Sequence, residues 1–151
     1  MGHRLHSACD GCNLYKSSLC KLTFEGTSIG EDPKLFVIAS TISPSENRAN
    51  NFMESDDFRS LAKAIDFKYD YYYTKLVKCY NPEDPFVDDG MARPPTQINI
   101  DACSKILAME IKKYPTVDRI MTMGQEAFKF FVPDFEGGFV ENVGKAFEVE
   151  K

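Results

Sequence analysis

The sequence predicts an α/β domain with a mostly parallel central sheet and helices on its faces. Three observations carry this. Strand-like segments alternate with helix-like ones along the chain, the order that βαβ connections produce. The run 34–39 (KLFVIA) is short and almost uniformly apolar, as in a strand buried on both sides. The chain has 151 residues, 43% of them hydrophobic, which fits one domain, residues 1–151, around a real core.

Residues 7–33 are turn-rich, with one short helical stretch near 13–19. The first strand is 34–39, and a Ser/Pro/Asn-rich loop follows over 40–51. Ser55 is a cap for a helix running to about residue 66, with Phe58, Leu61, Ala62 and Ile65 on one face. Residues 71–77 (YYYTKLV) form a second strand. Residues 80–97 are a long Pro/Asp/Gly-rich loop, of a length that usually serves a function or lacks order. Thr96 or Asn99 starts the next helix, whose stripe of Ala102, Cys103, Ile106, Leu107 and Ile111 ends before Pro115. Residues 119–123 make a third strand, and Gly124 opens a short helix carrying Ala127, Phe128 and Phe131. Sheets of this kind bind ligands at the loops beyond the strand C-termini, here after Ile38, Val77 and Met123.

The formal net charge of −5 excludes a global positive field that would draw the chain to nucleic acid or anionic lipid. No apolar run approaches the ~20 residues a membrane span needs. The opening residues 1–6 (MGHRLH) lack the apolar centre of a signal peptide. The expected location is therefore the cytoplasm or another reducing intracellular compartment. There five cysteines point to metal or catalysis rather than disulfides, and the odd count leaves one over.

Cys9-Asp10-Gly11-Cys12 is a C-x-x-C pair in a turn, where Gly11 permits a tight backbone and two thiolates reach one centre. Zinc sites and redox pairs share that spacing. No strand precedes the pair, which argues against a thioredoxin-like site. Cys79 follows a strand and Cys103 lies on a helix, so both are placed to converge with the first pair. Four thiolates suit zinc or an iron–sulfur cluster, and spacing does not choose between them. Buried structural cysteines are the alternative. Cys20 is the spare; it is able to replace Cys9 or Cys12 but reads as an unliganded core residue.

From about residue 8 to residue 149 the chain resembles the iron–sulfur (family 4) uracil-DNA glycosylases. Cys9-Asp10-Gly11-Cys12-Asn13-Leu14 is similar to that family's C-x-x-C-x-L opening. Val77-Lys78-Cys79 followed by Pro82 is similar to its V-K-C-R-P-P segment. Arg93-Pro94-Pro95-Thr96 through Ala102-Cys103 resembles its N-R-x-P-T…C run, and Met123-Gly124-Gln125-Glu126-Ala127 its L-G-x-x-A turn. Residues 137–149 resemble the hairpin that comes next. The resemblance implies a three-layer α/β/α fold of the uracil-DNA glycosylase type. It also implies a 4Fe–4S cluster rather than zinc, held by Cys9, Cys12, Cys79 and Cys103. The loop between Cys79 and Cys103 is longer than the family pattern, as an insertion around 83–91 would make it.

The family's reacting groups are replaced. Its G-E-A-P-G loop corresponds to Ala39-Ser40-Thr41-Ile42-Ser43, so Ser40 stands in place of the carboxylate and cannot supply its negative charge. Phe52 matches the aromatic that stacks on the base, or is a core Phe. Lys75 occupies the position of the base-reading Asn and offers donors only, where Asn offers a donor and an acceptor. The late His has no counterpart: the histidines are His3 and His6, so the protein is either shortened or one part of a longer chain.

The expected function is that of a superfamily member with lost or altered glycosylase activity, a structural cluster, and a role as a nucleic-acid-associated or replication/repair-associated module. The alternative is an active DNA base-excision hydrolase with unusual catalytic residues, acting on uracil or another damaged base; a redox or zinc protein unrelated to DNA is a third reading. The expected partners are DNA and a replication or repair protein, with no membrane. Lys75, Lys78 and Arg93, with Lys16 and Lys21, would form a local phosphate patch, or are ordinary solvated side chains. Tyr69, Tyr71, Tyr72 and Tyr73 offer rings for stacking on single-stranded bases, though strand alternation buries about half of them. The acidic residues Glu83, Asp84, Asp88 and Asp89 would repel phosphate and suit a protein partner.

Overall fold

The computed structural model describes residues 4–17, 20, 23–49, 51–65, 70–80, 94–135 and 137–138. Arg93, Lys21, Tyr69, the 83–91 insertion with its acidic residues, and nearly all of the 137–149 hairpin lie outside the described residues.

Four strands form one sheet in the order β1 (Thr27–Ile29), β3 (Tyr71–Lys75), β2 (Leu35–Ala39), β4 (Ile120–Met123). β2 runs parallel to both β3 and β4, with Phe36 opposite Tyr72 on one side and opposite Ile120 on the other. β1 is antiparallel to β3 at the edge, Ser28 facing Tyr72. Alternation along the strands divides the core into two layers. Phe36, Ile38 and Tyr72 pack with Cys103 and Leu107 of α3 (Gln97–Lys113) and Ala127 of α4 (Gln125–Phe131). Val37, Tyr71 and Tyr73 pack with Phe58, Leu61 and Ile65 of α2 (Asp56–Ile65). The fold is thus the expected α/β arrangement, a mostly parallel sheet flanked by helices. No helix among the described residues is long and apolar enough to cross a membrane.

The caps follow local chemistry. The Ser55 hydroxyl accepts the Phe58 N–H at 3.1 Å. Thr96, rather than Asn99, caps α3, and Asn99 returns the bond from its side chain to the Thr96 N–H at 3.0 Å.

Three segments differ from the sequence expectation. Of the helical stretch near 13–19, the described residues form one 3-10 turn, Leu14–Lys16, which follows Asn13 in the left-handed region at φ 57°; an earlier 3-10 turn spans Ser7–Gly11. The loop 40–51 contains α1 (Pro44–Ala49), and a 3-10 turn Phe52–Glu54 follows it. Ser43 and Glu46 explain α1: the Ser43 hydroxyl accepts the Glu46 N–H at 3.2 Å and the Glu46 carboxylate accepts the Ser43 N–H at 3.0 Å, with Pro44 at the first helical position. The second strand leaves the ladder after Lys75, although Leu76 and Val77 still donate to the carbonyls of Ala39 and Ser40.

Tyr71, Tyr72 and Tyr73 are all buried, not half of them, because β3 lies between two strands and beneath helices on both faces. They offer no stacking platform. Burial holds all three phenols above their ordinary value of 10.0, with the Glu110 and Glu46 carboxylates adding to the shift at Tyr72 and Tyr73. Unfolded phenols ionise first, so this contribution is complete below pH 10 and is lost as the pH rises above it. The buried lysines Lys75 and Lys78, held below 10.5 by desolvation, act in the opposite sense and only up to that pH. The expected result is an alkaline unfolding transition in which phenolate absorbance and loss of circular dichroism rise together. Phenolate appearing with full secondary structure would contradict it.

Candidate functional site

At the C-terminal ends of the parallel strands the chain turns at Ser40, Leu76 and Gly124. Ser40 joins two of these turns. Its hydroxyl accepts the Ala127 N–H at 3.0 Å and donates to the Met123 carbonyl at 3.2 Å, while its own N–H donates to that same carbonyl at 2.9 Å. Gly124 makes the close approach practicable: its φ is 101°, and a Cβ there would strike the Ser40 hydroxyl. Every polar atom of Ser40 is therefore engaged in structure. Ser40→Ala strands the buried Ala127 N–H and is expected to cost about 1–3 kcal/mol. Chemical denaturation checks this; a change below about 0.5 kcal/mol, the level of an ordinary surface substitution, would count against it.

Beside Ser40, α1 carries Glu46 into the interior. Glu46 and Lys75 form an ion pair at 2.9 Å, with side chains 1% and 2% exposed. The Lys75 ammonium also donates to the Tyr73 hydroxyl at 2.8 Å, and that hydroxyl donates to the second Glu46 oxygen at 3.5 Å. Two aromatic faces complete the shell, with the Lys75 nitrogen 4.8 Å from the Tyr73 ring centre and 5.3 Å from that of Phe24. Desolvation lowers the pKa of Lys75, and Glu46 opposes the shift. Phe52 lies in the same cluster. Its ring centre is 4.8 Å from Phe24, 5.0 Å from Phe58 and 5.6 Å from Tyr73. The ring given a stacking role in the sequence reading is thus enclosed on several sides by other rings.

The cysteines are divided between the two core layers: Cys20 and Cys79 pack with Phe24 and Tyr73, and Cys103 packs with Phe36 and Tyr72. Cys9 and Cys12 lie in and just after the first 3-10 turn, which packs on α3; a Cβ on Gly11 would sit 3.6 Å from Ala102. That contact brings Cys9 and Cys12 within electrostatic reach of Cys103. Cys79 is placed by an antiparallel bridge to Thr23, and Cys103 and Cys79 also sense each other. Cys9, Cys79 and Cys103 are buried and Cys12 is half-buried. Three segments thus place these thiols within electrostatic influence of Cys103. Cys20, fully buried, hydrogen-bonds Cys79 and belongs to the core there. Burial raises the Cys103 thiol, while the Lys78 backbone and ammonium lower it. Among the described residues no group of three or more Cys, His, Asp or Glu side chains is drawn together as for a single metal ion. Cys9, Cys12, Cys79 and Cys103 are the thiols that the resemblance names for a metal group.

Lys78 is 1% exposed. Its ammonium donates to the Thr74 hydroxyl at 2.7 Å and the Lys75 carbonyl at 2.6 Å, and pairs with Glu110 at 2.6 Å. Lys75 and Lys78 are thus both interior and paired, and neither presents its ammonium to a phosphate in this conformation. Lys16 is exposed, its nitrogen 5.7 Å from the Tyr15 ring centre.

Three residues of these clusters carry no role in the sequence reading: Glu46, Phe24 and Glu110. Ser43-Pro44-Ser45-Glu46 is a capping-box signal that would place Glu46 in a first helical turn. Glu110 follows Cys103 by two helical turns and so shares its face. A separate cleft lined by Pro33, Lys34, Leu35, Thr116, Asp118 and Arg119 lies at the opposite ends of β2 and β4, away from both clusters. A family model described as Uracil DNA glycosylase superfamily matches residues 23–149. No curated protein matches the chain.

Proposed function

The chain belongs to the Uracil DNA glycosylase superfamily, and from that premise we propose that it works as a nucleic-acid-associated or replication/repair-associated module whose uracil-excising chemistry is lost or altered. One observation carries this reading: the base-reading position holds Lys75, buried and paired with Glu46. A base edge with adjacent donor and acceptor needs a partner offering both, and an ammonium offers donors only. These donors already serve Glu46 and Tyr73, and Phe52 is engaged with three rings. Ser40 supplies no negative charge to orient a water or balance a sugar cation, and its hydroxyl is committed to Ala127 and Met123.

The same proposal assigns a 4Fe–4S cluster to Cys9, Cys12, Cys79 and Cys103. The donor set supports it: four thiols from three separate segments, largely buried. When bound, such a group would staple the N-terminal segment, the end of β3 and α3 together. Its chemical contribution here would be cross-linking.

The test pairs two measurements on the purified protein. Uracil-containing single- and double-stranded oligonucleotides are incubated, treated with alkali and run on a gel, with binding measured in parallel. Association without alkali-labile sites is expected, and strand cleavage after alkali would overturn the loss of activity. Iron, sulfide and a broad visible absorption band are expected in the same sample; a colourless, metal-replete protein would remove the cluster.

A further inference from the structure

α3 buries one face against the sheet, through Cys103 and Leu107. The opposite face carries Ile98, Asp101, Lys105, Ala108, Met109 and Lys112, all exposed. Ile98 is 63% exposed and Met109 54%, two of the four large hydrophobic side chains so placed among the described residues. Single apolar side chains scattered over a surface are ordinary. These two are in register: a separation of 11 residues is about three helical turns, so they stand on one line about 16 Å long. Asp101 and Lys105 occupy that line between them. Both charges are available. Lys105 has no ion pair among the described residues. Asp101 accepts from the Gln97 side chain through one carboxylate oxygen, at 2.7 Å, and its second oxygen has no partner among the described residues.

The order apolar, acidic, basic, apolar is its own complement when reversed. We propose that this face of α3 is where two copies of the chain meet, as an antiparallel helix pair about a two-fold axis level with residue 103. In that register each Asp101 faces Lys105 of the other copy, and each Ile98 faces Ala108 and Met109 of the other copy. The short Ala108 side chain gives Ile98 room to approach. Lys112, one turn further on, passes beyond the first helical turn of the opposing α3 and meets no cation of that helix. A contact one helix stripe wide is smaller than an obligate dimer interface, so the pair forms and parts with protein concentration.

The experiment is sedimentation velocity of the purified protein over a concentration series, on wild type, Asp101→Lys, Lys105→Asp and an equal mixture of the two variants. Wild type should pass from monomer towards dimer as its concentration rises. Each variant alone turns two attractive contacts into two like-charge ones and should associate about tenfold more weakly or worse. Circular dichroism should match wild type for both, because both positions are exposed. The mixture should regain the wild-type dimer, since one variant then presents two cations to the two anions of the other. Recovery on mixing cannot come from loss of packing. Wild type that stays monomeric up to about 1 mM would overturn the proposal. So would a dimer that both single variants leave intact, or a mixture no more associated than its components.

Discussion

Lys75→Met is expected to lower the stability of the protein by about 3–5 kcal/mol, the usual cost of removing one partner from a buried ion pair. It should be read as a fall in the urea midpoint at unchanged slope. The cost arises because Glu46 cannot follow its partner out. Glu46 is tied to the start of α1 through the Ser43 N–H, and its side chain is 1% exposed. Without the ammonium, a carboxylate remains in an aromatic enclosure with a 3.5 Å bond from Tyr73 as its nearest compensation within that enclosure. Adding Glu46→Gln removes the orphaned charge while keeping an oxygen for the Ser43 N–H, and should recover more than half of the loss. If the single and double variants are equally unstable, the pair is not what holds this corner. Lys75→Asn carries the same penalty as Lys75→Met. Placing an amide at this position therefore does not by itself make a base-reading site, because Glu46 would be left without its ion-pair partner.

Cys103→Ala should have an effect of similar size by another route. On the cluster reading, the variant loses iron and the visible band, and its thermal midpoint falls to that of wild type stripped of iron by a chelator. A metal group joining Cys12, Cys79 and Cys103 closes two long loops of chain, and the chain-entropy scale gives each closure about 3–5 kcal/mol. Deleting one buried sulfur from an iron-free protein costs far less. The comparison between loaded and stripped protein therefore separates cross-linking from packing. Equal midpoints for loaded wild type, stripped wild type and variant would show that the cysteines act only as core residues.

The parallel strands were legible because each is a short run rich in apolar or aromatic residues between turn signals, and α2 and α3 because their apolar positions recur at helical spacing behind Ser55 and Thr96. β1 was not, since Thr27-Ser28-Ile29 is three residues long and gains its strand conformation from pairing with β3. The placement of Cys9 and Cys12 at a turn, Cys79 after a strand and Cys103 on a helix could be anticipated from spacing and order. The interior position of Lys75 and Lys78 could not. Lysine is ordinarily a surface residue, and only the tertiary placement of Glu46 and Glu110, distant in the chain, makes burial tolerable. One local signal for Glu46 was present in Ser43-Pro44-Ser45-Glu46, masked by a segment otherwise rich in loop-forming residues.

β3 contributes side chains to both layers, Tyr72 to one and Tyr71 with Tyr73 to the other. Neither layer can peel away without exposing part of the same five residues, and β3 itself is held by ladders on two sides. Opening is consequently all-or-none at this strand. Its backbone amides should exchange with solvent deuterium only at the rate set by complete unfolding, while the Ser7–Gly11 turn, attached through α3, exchanges through smaller excursions.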